Sequence, residues 1–300
     1  MKLTSDNLAY LSLCAVTAAK QAGELIAGYA DKNVEVLTKE GGDTLASQVV
    51  TEVDLRSEAL IVEVLQPASE QFDLGLLSEE RGDDGSRLVK DYFWCIDPID
   101  GTLSFIEGVT GYAVSIALVS KTGVPQIGVV FDPLSKMLYS AVKGRGALRN
   151  GEPWMLSPSS SLFGKPLTLV VDRGLEAQPF YPNLLEQLEF IAQKISATGL
   201  KILQKGGAVM NGCWVLENPP GCYFKFPKPQ DGGGSLWDFA AITCLFHELG
   251  AVATDFHGQP LELNNAETTF MNKRGVLFST NQSLVADIRE LDLKVQQDLN

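Results

Sequence analysis

Histidine is nearly absent from this 300-residue chain; only His247 and His257 occur. Such scarcity weakens any mechanism built on a Ser-His or Cys-His pair and any histidine-rich zinc site. Cysteine is sparse too. The five (Cys14, Cys95, Cys213, Cys222, Cys244) are odd in number, scattered, and contain no C-x-x-C pair, which argues against a disulfide framework or thiolate zinc site and for a reducing cytoplasm. No apolar run reaches the roughly 18 residues of a membrane span. The start, MKLTSDNLAYLSLCAVTAAK, puts Asp6 ahead of the apolar stretch and lacks a basic n-region, so neither a membrane association nor a signal peptide is expected. Positive charge is in deficit: 24 Lys and Arg stand against 37 Asp and Glu, and the net charge of −13 repels a polynucleotide backbone. A small anionic substrate stays admissible, because a bound cation inverts the local potential. Without a Walker A or G-x-G-x-x-G pattern, a nucleoside triphosphatase or dinucleotide enzyme has no support.

What is present is enough apolar material, 45% of residues, to fill a large core. Apolar spacing predicts a helix from Leu8 to Ala30, with Asp6 as its N-cap, and another from Val49 to Leu65. Asp31 to Gln48, containing Gly41-Gly42, reads as a strand or hairpin ending in a loop. A short apolar run at Leu74–Leu77 leads into Ser78-Glu79-Glu80, the pattern of a strand that delivers acids at its end; the next block, with strand-like runs at Asp91–Ile96, Tyr112–Ser120, Gln126–Phe131 and Met137–Val142 separated by turns, predicts an antiparallel sheet. A break near Pro158 to Pro166 suggests two domains, 1–160 and 161–300. Beyond it, strands at Leu167–Val171 and Lys201–Leu203 alternate with helices at Leu184–Ile195, Gly207–Leu216 and Trp237–Leu249, an α/β pattern.

The most informative string is Asp97-Pro-Ile-Asp100-Gly101-Thr102. A buried strand ends in an aspartate, proline blocks helical continuation, and a second aspartate follows ahead of two backbone amides. Hard divalent cations such as Mg²⁺ prefer oxygen ligands of this kind, while the Gly101 and Thr102 N–H groups suit phosphate oxygens. The competing reading is an Asp-Pro and Asp-Gly turn whose side chains cap the backbone. Asp54 in Thr51-Glu-Val-Asp54, Glu79 in Ser78-Glu-Glu80, and Asp238 after Trp237 each have such a plain reading: a helix start, a solvated acidic pair, a cap.

Taken together, these strings make the chain resemble the inositol monophosphatase superfamily, with its bisphosphate nucleotidases and fructose-1,6-bisphosphatases. Residues 97–102 match its D-P-[IL]-D-G-[ST] motif, and Trp237-Asp238-Phe239-Ala240-Ala241 its W-D-x-A-A motif. The resemblance covers about residues 8 to 280. It implies a layered α-β-α-β-α sandwich and a Mg²⁺-dependent, Li⁺-sensitive phosphomonoesterase with two or three cations per site. Glu79, Asp97 and the Ile99 carbonyl would hold one Mg²⁺; Asp97, Asp100 and Asp238 would hold a second. Glu79 and Thr102, the latter paired with Asp54, would activate a water, and Asp100, Gly101, Thr102, Gly207 and Asp238 would meet the substrate. Homodimers are frequent in the family.

Gly207 departs from the serine often found there. Lys225, in Tyr223-Phe-Lys225-Phe-Pro227, stands where bisphosphate nucleotidases commonly have arginine and would face a second phosphate; the alternative is an ordinary strand lysine facing solvent. The favoured substrate is therefore a 3′(2′),5′-bisphosphate nucleotide, with inositol 1-monophosphate as the competitor and a non-catalytic metal-binding regulator as the reading from a different class. Gly232-Gly-Gly234-Ser235 is either a flexible hinge or a substrate loop.

Overall fold

Thr4, not Asp6, starts the first helix. In the computed structural model, which describes residues 2–29, 36–38, 49–157, 163–204 and 206–298, helix α1 runs Ser5–Ala27. The Thr4 hydroxyl accepts the Asn7 N–H while the Asn7 side-chain Oδ1 accepts the Thr4 N–H, a reciprocal cap that Asp6 cannot make from inside the first turn. Most of the expected hairpin at 31–48, including Gly41-Gly42, lies outside the described residues; strand β1 (Val36–Thr38) pairs antiparallel with β2 (Val49–Thr51). That pairing delays helix α2 to Glu52–Phe72, capped by Thr51 and extended past Leu65 because Ala68 and Phe72 continue its buried face.

A seven-stranded sheet follows in chain order: β3 (Gly75–Ser78), β4 (Tyr92–Asp100), β5 (Ala113–Ser120), β6 (Pro125–Asp132), β7 (Met137–Val142), β8 (Gly146–Arg149) and β9 (Glu152–Trp154). Only β3–β4 is parallel, because the excursion between them carries the short helix α3 (Ser86–Val89) rather than a tight turn. Another short helix, α4 (Thr102–Ile106), follows β4. A second, five-stranded sheet has the order β11 (Leu200–Leu203), β10 (Leu167–Val170), β12 (Gly221–Lys225), β14 (Val276–Ser279), β13 (Val252–Thr254). Its first three strands are parallel, and β14 runs antiparallel to both neighbours. The expected boundary at 160 falls within 158–162, outside the described residues.

Helices α1 and α2 cover one face of the larger sheet through a core that includes Leu11, Ile61, Trp94, Ile116 and Phe131. Helices α6 (Ala208–Glu217) and α7 (Leu236–Glu248) lie between the sheets. Helices α5 (Tyr181–Lys194) and α8 (Gln282–Asp298) cover the outer face of the smaller sheet. The order is α-β-α-β-α, the sandwich expected from the sequence.

Close backbone approach fixes the middle layer. A Cβ on Gly128 of β6 would lie 2.3 Å from the Ala241 carbonyl oxygen of α7, so only glycine lets the helix settle there. On the opposite face, Gly23 of α1 leaves room for the Phe131 ring. Gly128→Ala is expected to destabilise the protein by about 1–3 kcal/mol through overpacking. The measurement is urea unfolding, where a lower midpoint at constant slope is expected; an unchanged midpoint would show that α7 retreats from β6 without cost.

Candidate active site

Along a regular strand, Asp97 and Asp100 would face opposite sides, because their separation is odd. The sequence suggests that the strand ends at Asp97; instead β4 continues to Asp100, and its register against β5 shifts between the two. Asp97 pairs with Ser115 and Asp100 with Ala113, so β4 gains one residue, and this bulge turns both carboxylates to the same side. Pro98 sits inside the bulge, where a missing N–H costs no ladder bond. The Ile99 N–H donates to Asp97 Oδ1 at 3.0 Å. Gly101 then adopts a left-handed conformation (φ 84°) with its Cα against the Gly111 carbonyl; a Cβ there would lie 2.5 Å from that oxygen.

Helix α2 braces this corner with a buried polar stripe, Asp54, Ser57 and Glu58, at i, i+3 and i+4. Asp54 Oδ2 accepts the Thr51 N–H at 2.8 Å, and Oδ1 faces the Thr102 hydroxyl at 3.2 Å, so Asp54 is both part of a cap and a partner of Thr102. Thr102 Oγ1 also lies 3.2 Å from the Ile99 carbonyl oxygen. Ser57 donates to the Pro98 carbonyl at 3.1 Å. Glu58 accepts hydrogen bonds from the Ser78 hydroxyl, the Glu80 N–H and Arg81 Nε, gripping the loop that carries Glu79, whose own N–H donates to Ile96 O at 3.1 Å. Sequence reading missed Ser57 and Glu58. Their spacing from Asp54 was the available signal, masked by the apolar residues around them.

Two helix starts supply the remaining geometry. Asp100 is held by the Ala208 N–H (3.0 Å) and the Val209 N–H (2.9 Å) at the head of α6. It lies directly on Gly207, where a Cβ would meet Asp100 Oδ2 at 2.3 Å. Gly207 thus leaves space for the carboxylate. Asp238, in the first turn of α7, accepts the Ser235 N–H at 2.6 Å. Gly232, Gly233 and Gly234 are all left-handed, and the Gly234 carbonyl accepts the Met271 N–H at 2.9 Å. Three successive positive φ values are the reason for three glycines in a row.

Carboxylate oxygens of Asp97, Asp100 and Asp238 lie within 4.8 Å of one another. The Glu79 charge acts on all three of these carboxylates. Burial first, then the charges of Glu79, Asp100 and Asp238, pushes Asp97 well above the ordinary carboxylate range. Burial and the Asp238 charge raise Asp100, against the Val209 N–H. Asp238 is pushed up to about 6 by burial and Glu79, against Lys225. An all-oxygen donor set with crowded charge fits a hard divalent cation, which would hold these groups ionised. Asp100's two backbone bonds leave lone pairs for it.

Lys225 ends β12 beside this cluster. Its ammonium lies 3.0 Å from Asp172 Oδ2 and over the Phe239 ring at 5.8 Å. Burial opposes its charge, but Asp172 first, then Asp238 and Asp100, hold its pKa above the usual lysine value. Its side chain is 21% exposed and paired with a carboxylate, unlike a solvent-facing strand lysine. Arg173, also missed from sequence, reaches Glu107 (2.6 Å) and Ser104 Oγ (3.0 Å), tying the loop after β10 to α4.

A sequence profile of the inositol monophosphatase family matches residues 7–293. Among curated proteins, the chain is 34% identical over 248 residues to Nus factor SuhB of Pseudomonas aeruginosa, and 31% over 246 residues to Nus factor SuhB of Escherichia coli K12. Each alignment covers 81% of this chain and 84% of the relative. Among solved structures, inositol monophosphatase from Anabaena superposes with a TM-score of 0.69 at 25% identity, over 95% of this chain and 97% of that one. The Thermotoga maritima IMPase gives 0.71 at 22%, over 93% and 96%, a likeness of fold.

The raised carboxylates set a pH dependence. An acid whose folded pKa exceeds its unfolded value of 3.8 binds more protons in the folded state, so stability falls as pH climbs from there through the folded pKa, about 6 for Asp238. A divalent cation offsets that loss. The gain in Tm on adding Mg²⁺ is therefore expected to be small near pH about 4.5 and to grow toward about 7.5. Thermal melts with and without Mg²⁺ across this range check it; a gain independent of pH would show that the carboxylates do not titrate as a cluster.

Proposed function

The chain belongs to the inositol monophosphatase family, and on that premise we propose that it is a magnesium-dependent phosphomonoesterase whose favoured substrate is a 3′(2′),5′-bisphosphate nucleotide. The observation that carries the reading is the convergence of Asp97 and Asp100 from β4 with Asp238 from α7. Glu79, Asp97 and the Ile99 carbonyl would hold one Mg²⁺; Asp97, Asp100 and Asp238 would hold a second, in a site of two or three. Bound there, the ions supply Lewis-acid charge neutralisation and a lowered pKa for water.

The protein's own groups supply orientation and proton transfer. The Gly101 and Thr102 N–H groups would hold phosphate oxygens, and Gly207 leaves room for the Asp100 carboxylate beside them. The Thr102 hydroxyl, 3.2 Å from Asp54, gives a proton route from the attacking water to a buried carboxylate, and Glu79 offers a second acceptor. Water oxygen bonds to phosphorus, the bond from phosphorus to the ester oxygen breaks, and the leaving alkoxide takes a proton from solvent water to become the alcohol, while the proton passed to the carboxylate returns to solvent. Histidine is not needed. Lys225 supports the bisphosphate substrate over inositol 1-monophosphate, because its ammonium stands at the mouth of the site, beside the carboxylate cluster, where a second phosphate would meet it. All five cysteines are free, which supports a cytoplasmic setting. The homodimer rests on family resemblance alone.

The relatives named Nus factor SuhB raise a second reading, a regulatory protein that retains the fold. The full acid set favours catalysis over it. Asp97→Asn and Asp238→Asn are each expected to abolish phosphate release while the far-UV spectrum and melting behaviour persist; full turnover in either variant at limiting Mg²⁺ rules out the site.

Substrate choice is tested at Lys225. A charge-assisted hydrogen bond contributes about 1.5–3 kcal/mol, so Lys225→Met is expected to lower kcat/KM for 3′-phosphoadenosine 5′-phosphate at least about tenfold more than for inositol 1-phosphate. Methionine keeps much of the aliphatic stem, limiting packing effects. Equal losses on both substrates would remove the support for the nucleotide.

A further inference from the structure

We propose that Asp172 is the positioning residue that sets where the Lys225 ammonium stands and, through it, the preference for a substrate with a second phosphate; the second half of this rests on the bisphosphate reading above. Strands β10, β11 and β12 are parallel, and ligands of such sheets gather at the carboxyl ends of the strands. Val170 of β10 pairs with Tyr223 of β12, so two residues further on Asp172 comes level with Lys225. The two side chains meet at 3.0 Å, 38% and 21% exposed, at the mouth of the site rather than in the core.

Asp172 is itself held in place. Its Oδ1 accepts the Tyr223 hydroxyl at 2.9 Å and Asn211 Nδ2 at 3.0 Å, leaving Oδ2 for Lys225. Asn211 is fully buried on α6, the helix whose first amides grip Asp100. The adjoining Arg173 fastens the same loop to α4 through Glu107 and Ser104. Asp172 is therefore a rigid anion placed to the side of the Asp100 and Asp238 carboxylates. Without its charge, the strongest pull on the ammonium comes from those two carboxylates, so Lys225 would swing onto the cation site and away from an incoming phosphate. With it, the ammonium stays to one side, charged and accessible.

Asp172→Asn tests this, since the amide keeps the shape and an acceptor for Tyr223 and Asn211 but loses the charge facing Lys225. Its kcat/KM for 3′-phosphoadenosine 5′-phosphate is expected to fall at least about tenfold more than for inositol 1-phosphate, and it should add nothing in a Lys225→Met background. Equal loss on both substrates, or effects that multiply in the double variant, would overturn the proposal. A urea-unfolding cycle over the same four proteins reads the pair without any substrate. Non-additive stabilities support the positioning even where Lys225→Met fails to discriminate substrates and the bisphosphate reading falls; additive stabilities overturn it.

Discussion

Three carboxylates that repel one another are forced together in a buried corner, and most of the architecture exists to keep them there. Asp97, Asp100 and Asp238 would separate or protonate if left to themselves, as their raised pKa values express. What opposes separation is a set of backbone constraints rather than side-chain attraction. A bulge aims two of them, the head of α6 clasps one, and the head of α7 presents the third.

Those constraints are stiff because they rely on atoms too close for side chains to intervene. Gly101 lies on the Gly111 carbonyl, Gly207 under Asp100, and Gly128 under Ala241. The layers of the sandwich thus act on the chemistry: α7 brings Asp238 to β4 only because β6 lets it sink. From the opposite face α2 turns a polar stripe to the same place, so the bulge is braced by Ser57 and the Glu79 loop by Glu58. The cluster is held from both faces of one sheet, with the strand ends of the other beside it.

The smaller sheet contributes differently. Its parallel strand ends carry an ion pair, Asp172 with Lys225, next to a cluster of like charges. A cation there would be drawn into the cluster unless a competing anion were anchored beside it. The three-way hydrogen bonding of Asp172 provides that anchor, and ties the rim of the site to the helix that clasps Asp100.

The acid motifs, the layered fold and strands β3, β5, β6 and β7 to within a residue were legible in the sequence, because strand alternation, helical spacing and short acid-glycine strings are local properties of a chain; β4 runs past its expected end at Ile96 to Asp100, and the short β8 and β9 carry too little alternation to be read. Asp97, Asp100 and Asp238 could be named as partners from their motifs. The arrangement that makes them a cluster could not, since the bulge depends on the register of β4 against β5. Helix starts were misjudged where the true cap was a reciprocal pair, Thr4 with Asn7, or where a short strand claimed the first residues, Val49 to Thr51. Glu58, in a helical stretch, and Asp172, just past a strand, belong to no motif that singles them out. Each became significant only when packing set it against a distant segment: Glu58 against the Ser78–Arg81 loop, Asp172 against Lys225 through the parallel register of β10 and β12. Sequence determines which charges are available; only the tertiary structure decides which of them must share a space from which water is largely excluded, and it is that sharing that shifts their pKa values and calls for a cation.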